Sequence, residues 1–262
     1  MTLVVSLRVP DGVVIAADSL QTTMGTVFPG LRNFKTKDDS GKDVTIPDLK
    51  LPPLQIPTST LPYAQKLFPF NGRYGIATFG TAIINQRTIY NHIKNLEYKA
   101  NDKEYTINEV AELIQEYFTE QLDLDLKKQQ THIPKNAFAF GFQIVGYNTL
   151  DDVSGQTIEV TIGNPNRMNV HDGIGCTISG DTIVVKKLWE LGQKGNLGTN
   201  YGAFSLQDAI DYVEFLINTT ASFQRFANMI PTVGGEVDIA LITSYGGFKW
   251  IKSKPLTRVI EK

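Results

Sequence analysis

Near the start of the chain, TLVVSLRV sets Leu3, Val5, Leu7 and Val9 against Val4, Ser6 and Arg8, the period-two alternation of a strand. Pro10-Asp11-Gly12 then supplies turn chemistry, so a β-hairpin is expected. The next run, Val13 to Ala17, is apolar at every position, as in a strand covered on both faces, and Asp18 ends it. QKLFPFNGRYGIATFG repeats the arrangement, with Asn71-Gly72 turning between a short strand and one rich in small residues. The texture then becomes helical. TAIINQRTIYNHIKNLEYK carries Ile83, Ile84, Ile89 and Ile93 near helical spacing, and TINEVAELIQEYFTEQL opens on a Thr106-to-Glu109 capping box. KNAFAFGFQIVGYN and QTIEVTIG read as strands, followed by a turn-rich stretch to Asp181. Helices through TIVVKKLWELGQ and SLQDAIDYVEFLINTTASFQRFA lead to the strands EVDIALIT and FKWIKS.

Strand pairs, two helices, strands, two helices and strands again make an α+β chain. Hairpin-joined strands imply antiparallel pairing, and paired helices between them imply helices on the sheet faces. The architecture that buries Val13 to Ala17 on both sides is a four-layer α/β/β/α sandwich of two stacked antiparallel sheets. From about Met24 to Leu61 the composition shifts to Gly, Pro, Asp, Lys and Thr, in TKDDSGKD and PDLKLPPLQIPTSTLP, and reads as a long, partly mobile excursion. Residues 1–262 are therefore read as a single domain with a proline-rich insertion at about 24–61, with no internal repeat.

Composition narrows the function classes. A chain of 262 residues that is 42% hydrophobic can bury a sizeable core. A net charge of −2 and a pI near 6.0, with no basic block, give no support to nucleic-acid or membrane binding. Cys176 is the single cysteine, which excludes an internal disulfide and a cysteine metal cluster and leaves a small core residue as its plain reading. His92, His132 and His171 lack metal-ligand spacing, so no metal or cofactor is expected. Asn218-Thr219-Thr220 matches a glycosylation acceptor but falls on a predicted helix and carries no weight. The first residues lack signal-peptide character and no run is long enough to span a membrane, so a cytoplasmic protein is expected.

Thr2 brings in chemistry. A threonine hydroxyl becomes a useful nucleophile when a base takes its proton, and a free α-amine on the same residue can do so once Met1 is removed. The first hairpin lays the Thr2 strand beside the strand ending in Asp18, and Lys66 lies at the mouth of the second hairpin. A nearby ammonium lowers the hydroxyl pKa, and a carboxylate keeps that ammonium charged and oriented. Gly80, in TFGTA at a strand-to-helix junction, offers a backbone N–H to an oxyanion. Each residue also has a plain reading: Asp18 as a strand-end turn residue, Lys66 as a surface lysine, Ser179 or Asp181 as a helix cap.

TLVVSLRVPDGVVIAADS, QKLFPFNGRYGIATFGTA, TISGDTIVVKKLWE and, more loosely, VGGEVDIALIT resemble the β-type subunits of the 20S proteasome and their bacterial relatives, the N-terminal-nucleophile (Ntn) threonine hydrolases. The resemblance covers nearly the whole chain outside the excursion. It implies the Ntn-hydrolase fold, with Thr2 as nucleophile and base, Asp18 as the carboxylate, Lys66 as the lysine, Gly80 as the oxyanion-hole glycine and Ser179 as support for the amine. Lys66 and Gly80 keep the family's fourteen-residue interval. Thr22 and Ala82 fall where substrate backbone pairs as an added strand. Gln21, Ala64, Phe68, Thr78 and Ala82 fall at pocket positions, implying a neutral, mostly apolar pocket. One departure stands out: aligning on Gly234-Gly235 puts Ile230 and Val233 where the family has a polar pair that orients the amine, with Asn228 or Thr232 as substitutes through a shifted loop.

The implied activity is that of a threonine endopeptidase that cuts peptides or unfolded protein inside a ring-shaped homo-oligomer, with an unfoldase partner unspecified. Two alternatives stand beside it. One is an inactive structural ring protein, favoured by Ile230 and Val233. The other is a small-amide hydrolase of the same nucleophile type, its pocket closed by the excursion.

Overall fold

A computed structural model describes residues 2–27, 30–31, 34–46, 49–50, 54–100, 103–149, 152–228 and 230–254. The chain divides into two compact units, one of Met1–Gln21 with Leu61–Lys262 and one of Thr22–Thr60.

In the larger unit, the alternating stretch forms β1 (Leu3–Val9) and the apolar run forms β2 (Gly12–Asp18), paired antiparallel with Val4 opposite Ala17 and Ser6 opposite Ile15. The second hairpin is β3 (Leu67–Phe70) and β4 (Tyr74–Gly80). Asn71 and Gly72 both take positive φ (49° and 65°), the backbone that a two-residue turn matching strand twist requires. Ala137–Gly146 and Gln156–Asn164 are β5 and β6. The sequence stretch read as turns up to Asp181 instead holds two strands, β7 (Arg167–His171) and β8 (Gly175–Gly180). Each lies at a sheet edge, where half-exposed positions blur the alternation that identifies a strand. Val237–Thr243 and Gly247–Lys252 are β9 and β10. Two five-stranded sheets result, ordered β8-β1-β2-β9-β10 and β7-β6-β5-β4-β3, with every resolved pairing antiparallel.

The described residues of this unit also hold four α-helices: α1 (Ile89–Ala100), α2 (Ile107–Gln129), α3 (Ile183–Lys194) and α4 (Leu206–Phe226). Both halves of the Thr106–Glu109 capping box form, and Ser205 and Asp208 make another at α4. The helix expected from Thr81 begins later. Asn85 and Gln86 take positive φ (47° and 64°) and turn a short pair, Ile83–Ile84 with Arg87–Thr88, before α1 starts. Thr88 Oγ1 then accepts the Asn91 N–H at 3.3 Å.

Three apolar clusters show which faces are covered. Leu3, Val5, Leu7 and Val9 pack with Val185 of α3 and Ala209, Val213, Leu216 and Ile217 of α4. Val4, Val13, Ile15 and Ala17 pack instead with Leu67, Ala77, Phe79 and Val145 of the other sheet. Phe70, Ile76, Phe140 and Phe142 meet α1 and α2 through Ile93, Ile114 and Phe118. Full burial of each such side chain contributes about 1.5–3 kcal/mol. The polar positions of β1 are buried too. Ser6 hydrogen-bonds Thr157 at 3.0 Å, and Arg8 donates to Thr157, Thr177 and the Gly173 carbonyl at 2.7–2.9 Å.

The smaller unit covers most of the excursion read at about 24–61 and holds short strands that its composition did not signal. It consists of successive antiparallel pairs, Gly30–Leu31 with Leu49–Lys50 and Phe34–Lys37 with Asp43–Ile46, while Gln21–Val27 pairs with Leu54–Leu61. Its turn is held by Asp38, whose carboxylate accepts the backbone N–H groups of Ser40 (2.9 Å) and Lys42 (3.0 Å), with Gly41 at φ 79°. The Asp-Asp-Ser-Gly sequence flanked by Thr and Val is hairpin chemistry that its high polarity concealed.

Candidate active site

Asp18 is fully buried at the end of β2 and gathers three segments. One carboxylate oxygen accepts the Leu3 N–H (3.1 Å) and the Lys66 ammonium (3.0 Å). The other accepts the N–H groups of Leu20 (3.1 Å) and Gly234 (3.0 Å). Lys66 also donates to the Leu20 carbonyl at 2.6 Å, and its own carbonyl accepts the Thr78 N–H at 2.9 Å, which ties it to β4. Burial pushes the Lys66 ammonium below the ordinary lysine value, opposed by the Asp18 charge. Burial also pushes the Asp18 carboxyl up, while Lys66 and the backbone N–H groups oppose it. With four donors filling its acceptor positions, Asp18 has no good place for a proton, so the ionised pair is the form the geometry fits. An ammonium has three N–H groups; two of those of Lys66 are engaged by Asp18 and Leu20.

Thr2 is buried beside this pair. Its carbonyl accepts the Asp181 N–H at 2.8 Å, and the next N–H along, that of Leu3, is the one on Asp18. Gly180 makes the approach of β8 possible: its φ is 87°, and a Cβ there would sit 1.8 Å from the Thr2 carbonyl oxygen. Gly80 is another glycine whose backbone demands it, with φ 96° and a would-be Cβ 2.7 Å from Phe140 Cα. It ends β4, but eight residues lie between it and the first residue of α1. Its N–H therefore lies at a strand end and lacks the helix-terminus field expected of it.

Ser179 is 2% exposed, and its hydroxyl donates to Glu159 (2.5 Å) while accepting from the Gln143 amide (2.7 Å). Asp181 caps nothing. Thr182 is the N-cap of α3 without a side-chain bond, and the Asp181 carboxylate accepts from Thr232 (2.5 Å) and Gln224 (2.9 Å). Gln224 in turn accepts the N–H groups of Thr232 and Val233 at 2.8 and 3.0 Å. Of the two substitutes considered for the amine-orienting pair, Thr232 is buried in this polar cluster and Asn228 is exposed. Val233 packs in the core with Leu3, and Ile230 is exposed.

The expected pocket positions separate. Gln21, Ala64 and Ala82 are half-buried. Phe68 is fully buried with its ring 5.9 Å from that of Tyr90, and Thr78 is closed in with its hydroxyl on the Gly141 carbonyl. Thr22 belongs to the smaller unit.

Gln143, Glu159, Gln224 and the Asp181–Thr232 pair carried no sequence signal, because each partner comes from a distant strand or helix. A further buried pair joins Lys254, beyond β10, to Asp238 of β9, the residue after the one opposite Asp18. Burial pushes the Cys176 thiol up to about 12, which favours the neutral thiol over the thiolate. His92 is a core histidine bonded to Tyr117 and the Ile84 carbonyl. Among the described residues no group of three or more His, Cys, Asp or Glu side chains could hold a metal ion, and no helix is long and apolar enough to cross a membrane. No protein-family model matches the chain, and no curated protein matches it.

Proposed function

We propose that the protein is a threonine peptidase of the N-terminal-nucleophile class, built as a four-layer α/β/β/α sandwich. The observation that carries the reading is the buried Asp18 carboxylate, which holds the Lys66 ammonium and the first N–H beyond Thr2 on the same oxygen. The layering is supported by the three apolar clusters, one between the sheets and one under each helix pair.

With Met1 removed, the Thr2 amine takes the hydroxyl proton as Oγ1 bonds to the carbonyl carbon of a peptide. The Lys66 ammonium, kept charged by Asp18, lowers the hydroxyl pKa, and the Gly80 N–H is offered to the developing oxyanion. The C–N bond then breaks, the amine's proton passes to the leaving nitrogen, and an acyl ester remains on Thr2. Water, deprotonated by the same amine, adds to the ester carbon; the bond to Oγ1 breaks, the amine returns the proton to Oγ1, and the acid is released. A cytoplasmic homo-oligomeric ring supplied with peptide or unfolded protein by an unfoldase is the setting we propose. Peptide turnover by wild type against Thr2→Ala tests the reading, and equal rates would end it.

An inactive structural relative is the second reading, favoured by Ile230 and Val233 in place of polar side chains and by the closed surroundings of Phe68 and Thr78. Wild-type turnover indistinguishable from Thr2→Ala, both at background, would select it.

A further inference from the structure

The geometry points to Gln143 and Glu159 as positioning residues that hold the Thr2 amine through Ser179, an inference that rests on the nucleophile reading above. The two residues face each other across β5 and β6, and both reach over to Ser179 on β8 of the other sheet. The direction of these bonds is forced. A carboxylate only accepts, so the Ser179 hydroxyl spends its proton on Glu159, and Gln143 must present its Nε2 to Ser179. Ser179 Oγ therefore retains acceptor capacity. The fully buried Gln143 also keeps an Oε1 with no hydrogen-bond partner among the described residues. An amide oxygen in that condition is uncommon in a protein interior and calls for a donor.

Thr2, at the start of β1 beside the Ser179–Asp181 segment, can bring donors once its amine is free. Ser179 pairs with Val4, Gly180 with Leu3, and Asp181 donates to the Thr2 carbonyl, so the segment runs along the start of β1 at contact distance. When the amine takes the hydroxyl proton it becomes an ammonium with three N–H groups. Ser179 Oγ and Gln143 Oε1 accept from it, and the Glu159 charge one hydroxyl away favours the protonated form. The other charged groups around this point are already engaged. Asp18 and Lys66 neutralise each other, Asp181 is bonded to Thr232 and Gln224, and Arg8 to Thr157, Thr177 and Gly173. Glu159 and Gln143 thus supply, from the opposite sheet, what Ile230 and Val233 cannot.

The test compares wild type, Glu159→Gln and Glu159→Asp, all confirmed by mass to begin at Thr2. The pH dependence of α-amine acylation by an amine-reactive reagent is read by mass spectrometry, alongside the pH profile of kcat/KM for a peptide. Removing the negative charge destabilises the ammonium, so in Glu159→Gln the amine pKa and the acid limb of the profile should both fall, on the order of one pH unit. Glu159→Asp, which keeps the charge, should fall less. Should Glu159→Gln not fold, Gln143→Met carries the test: kcat reduced on the order of tenfold at unchanged KM supports the proposal, and unchanged kcat overturns it. Thr2-dependent turnover with an unshifted amine in Glu159→Gln overturns this proposal alone. A Thr2→Ala variant as active as wild type overturns the nucleophile reading and this proposal with it.

Discussion

Replacing Asp18 with Asn keeps the shape of the side chain, removes its charge and turns one acceptor oxygen into a donor. Whichever way the amide is turned, its NH2 meets two donors: Leu3 N–H and Lys66 on one side, or Leu20 N–H and Gly234 N–H on the other. Two bonds to a charged acceptor are lost, at about 1.5–3 kcal/mol each. That range of about 3–6 kcal/mol agrees with the about 3–5 kcal/mol for removing one member of a buried ion pair. A loss near 4 kcal/mol is the expected outcome, a large part of the stability of an ordinary domain. Lys66→Met should cost a similar amount, because it leaves the carboxylate buried and unpaired. The double variant removes both charges, so its cost should fall short of the sum by about 1–3 kcal/mol. Urea unfolding followed by circular dichroism measures all three, with the slopes compared so that midpoint shifts report stability. Asp18→Asn within about 1 kcal/mol of wild type, or strict additivity in the double variant, would refute the claim that these groups form one buried, mutually dependent pair.

Gly180→Ala should destabilise by more than about 2 kcal/mol, since it adds backbone strain at φ 87° to a contact with the Thr2 carbonyl; thermal unfolding checks it. Asp238→Asn leaves Lys254 buried without its partner and should cost about 3–5 kcal/mol in the same measurement. Glu109 is held below the ordinary carboxylate range by the Thr106 backbone and hydroxyl. Its depressed folded-state value means that the stabilisation is present above the unfolded pKa of about 4.3 and is lost as pH falls through the lower folded value. The stability gap between wild type and Glu109→Ala, read by urea unfolding at several pH values, should therefore narrow on acidification, and a gap that widens would contradict the assignment.

Local signals reached the elements whose pattern is local. Both hairpins, with Asn71-Gly72 between β3 and β4, and the Thr106–Glu109 box at α2 are dictated by neighbours a few residues apart. What escaped depends on distant partners. β7 and β8 are edge strands recognisable by what they pair with, and α1 begins late because Asn85 and Gln86 adopt a left-handed turn that apolar spacing does not register. In the site, Asp18 and Lys66 stood out by position and the ion pair joins them across 48 residues of chain. Ser179 was expected near Thr2, yet its bonds to Gln143 and Glu159 follow from how the two sheets stack, which no periodicity encodes. Val233 looked like a missing polar group, whereas its side chain belongs to the core beneath β1 and the adjacent Thr232 carries the polarity.

The most direct test of the account is the peptide hydrolysis rate of protein shown by intact mass to begin at Thr2, set against a correctly folded Thr2→Ala variant. The account predicts turnover in the first, loss of at least about a thousandfold in the second, as expected when the attacking group itself is removed, and an acyl adduct of matching mass on Thr2 in a quenched reaction. Equal turnover in the two proteins would contradict it.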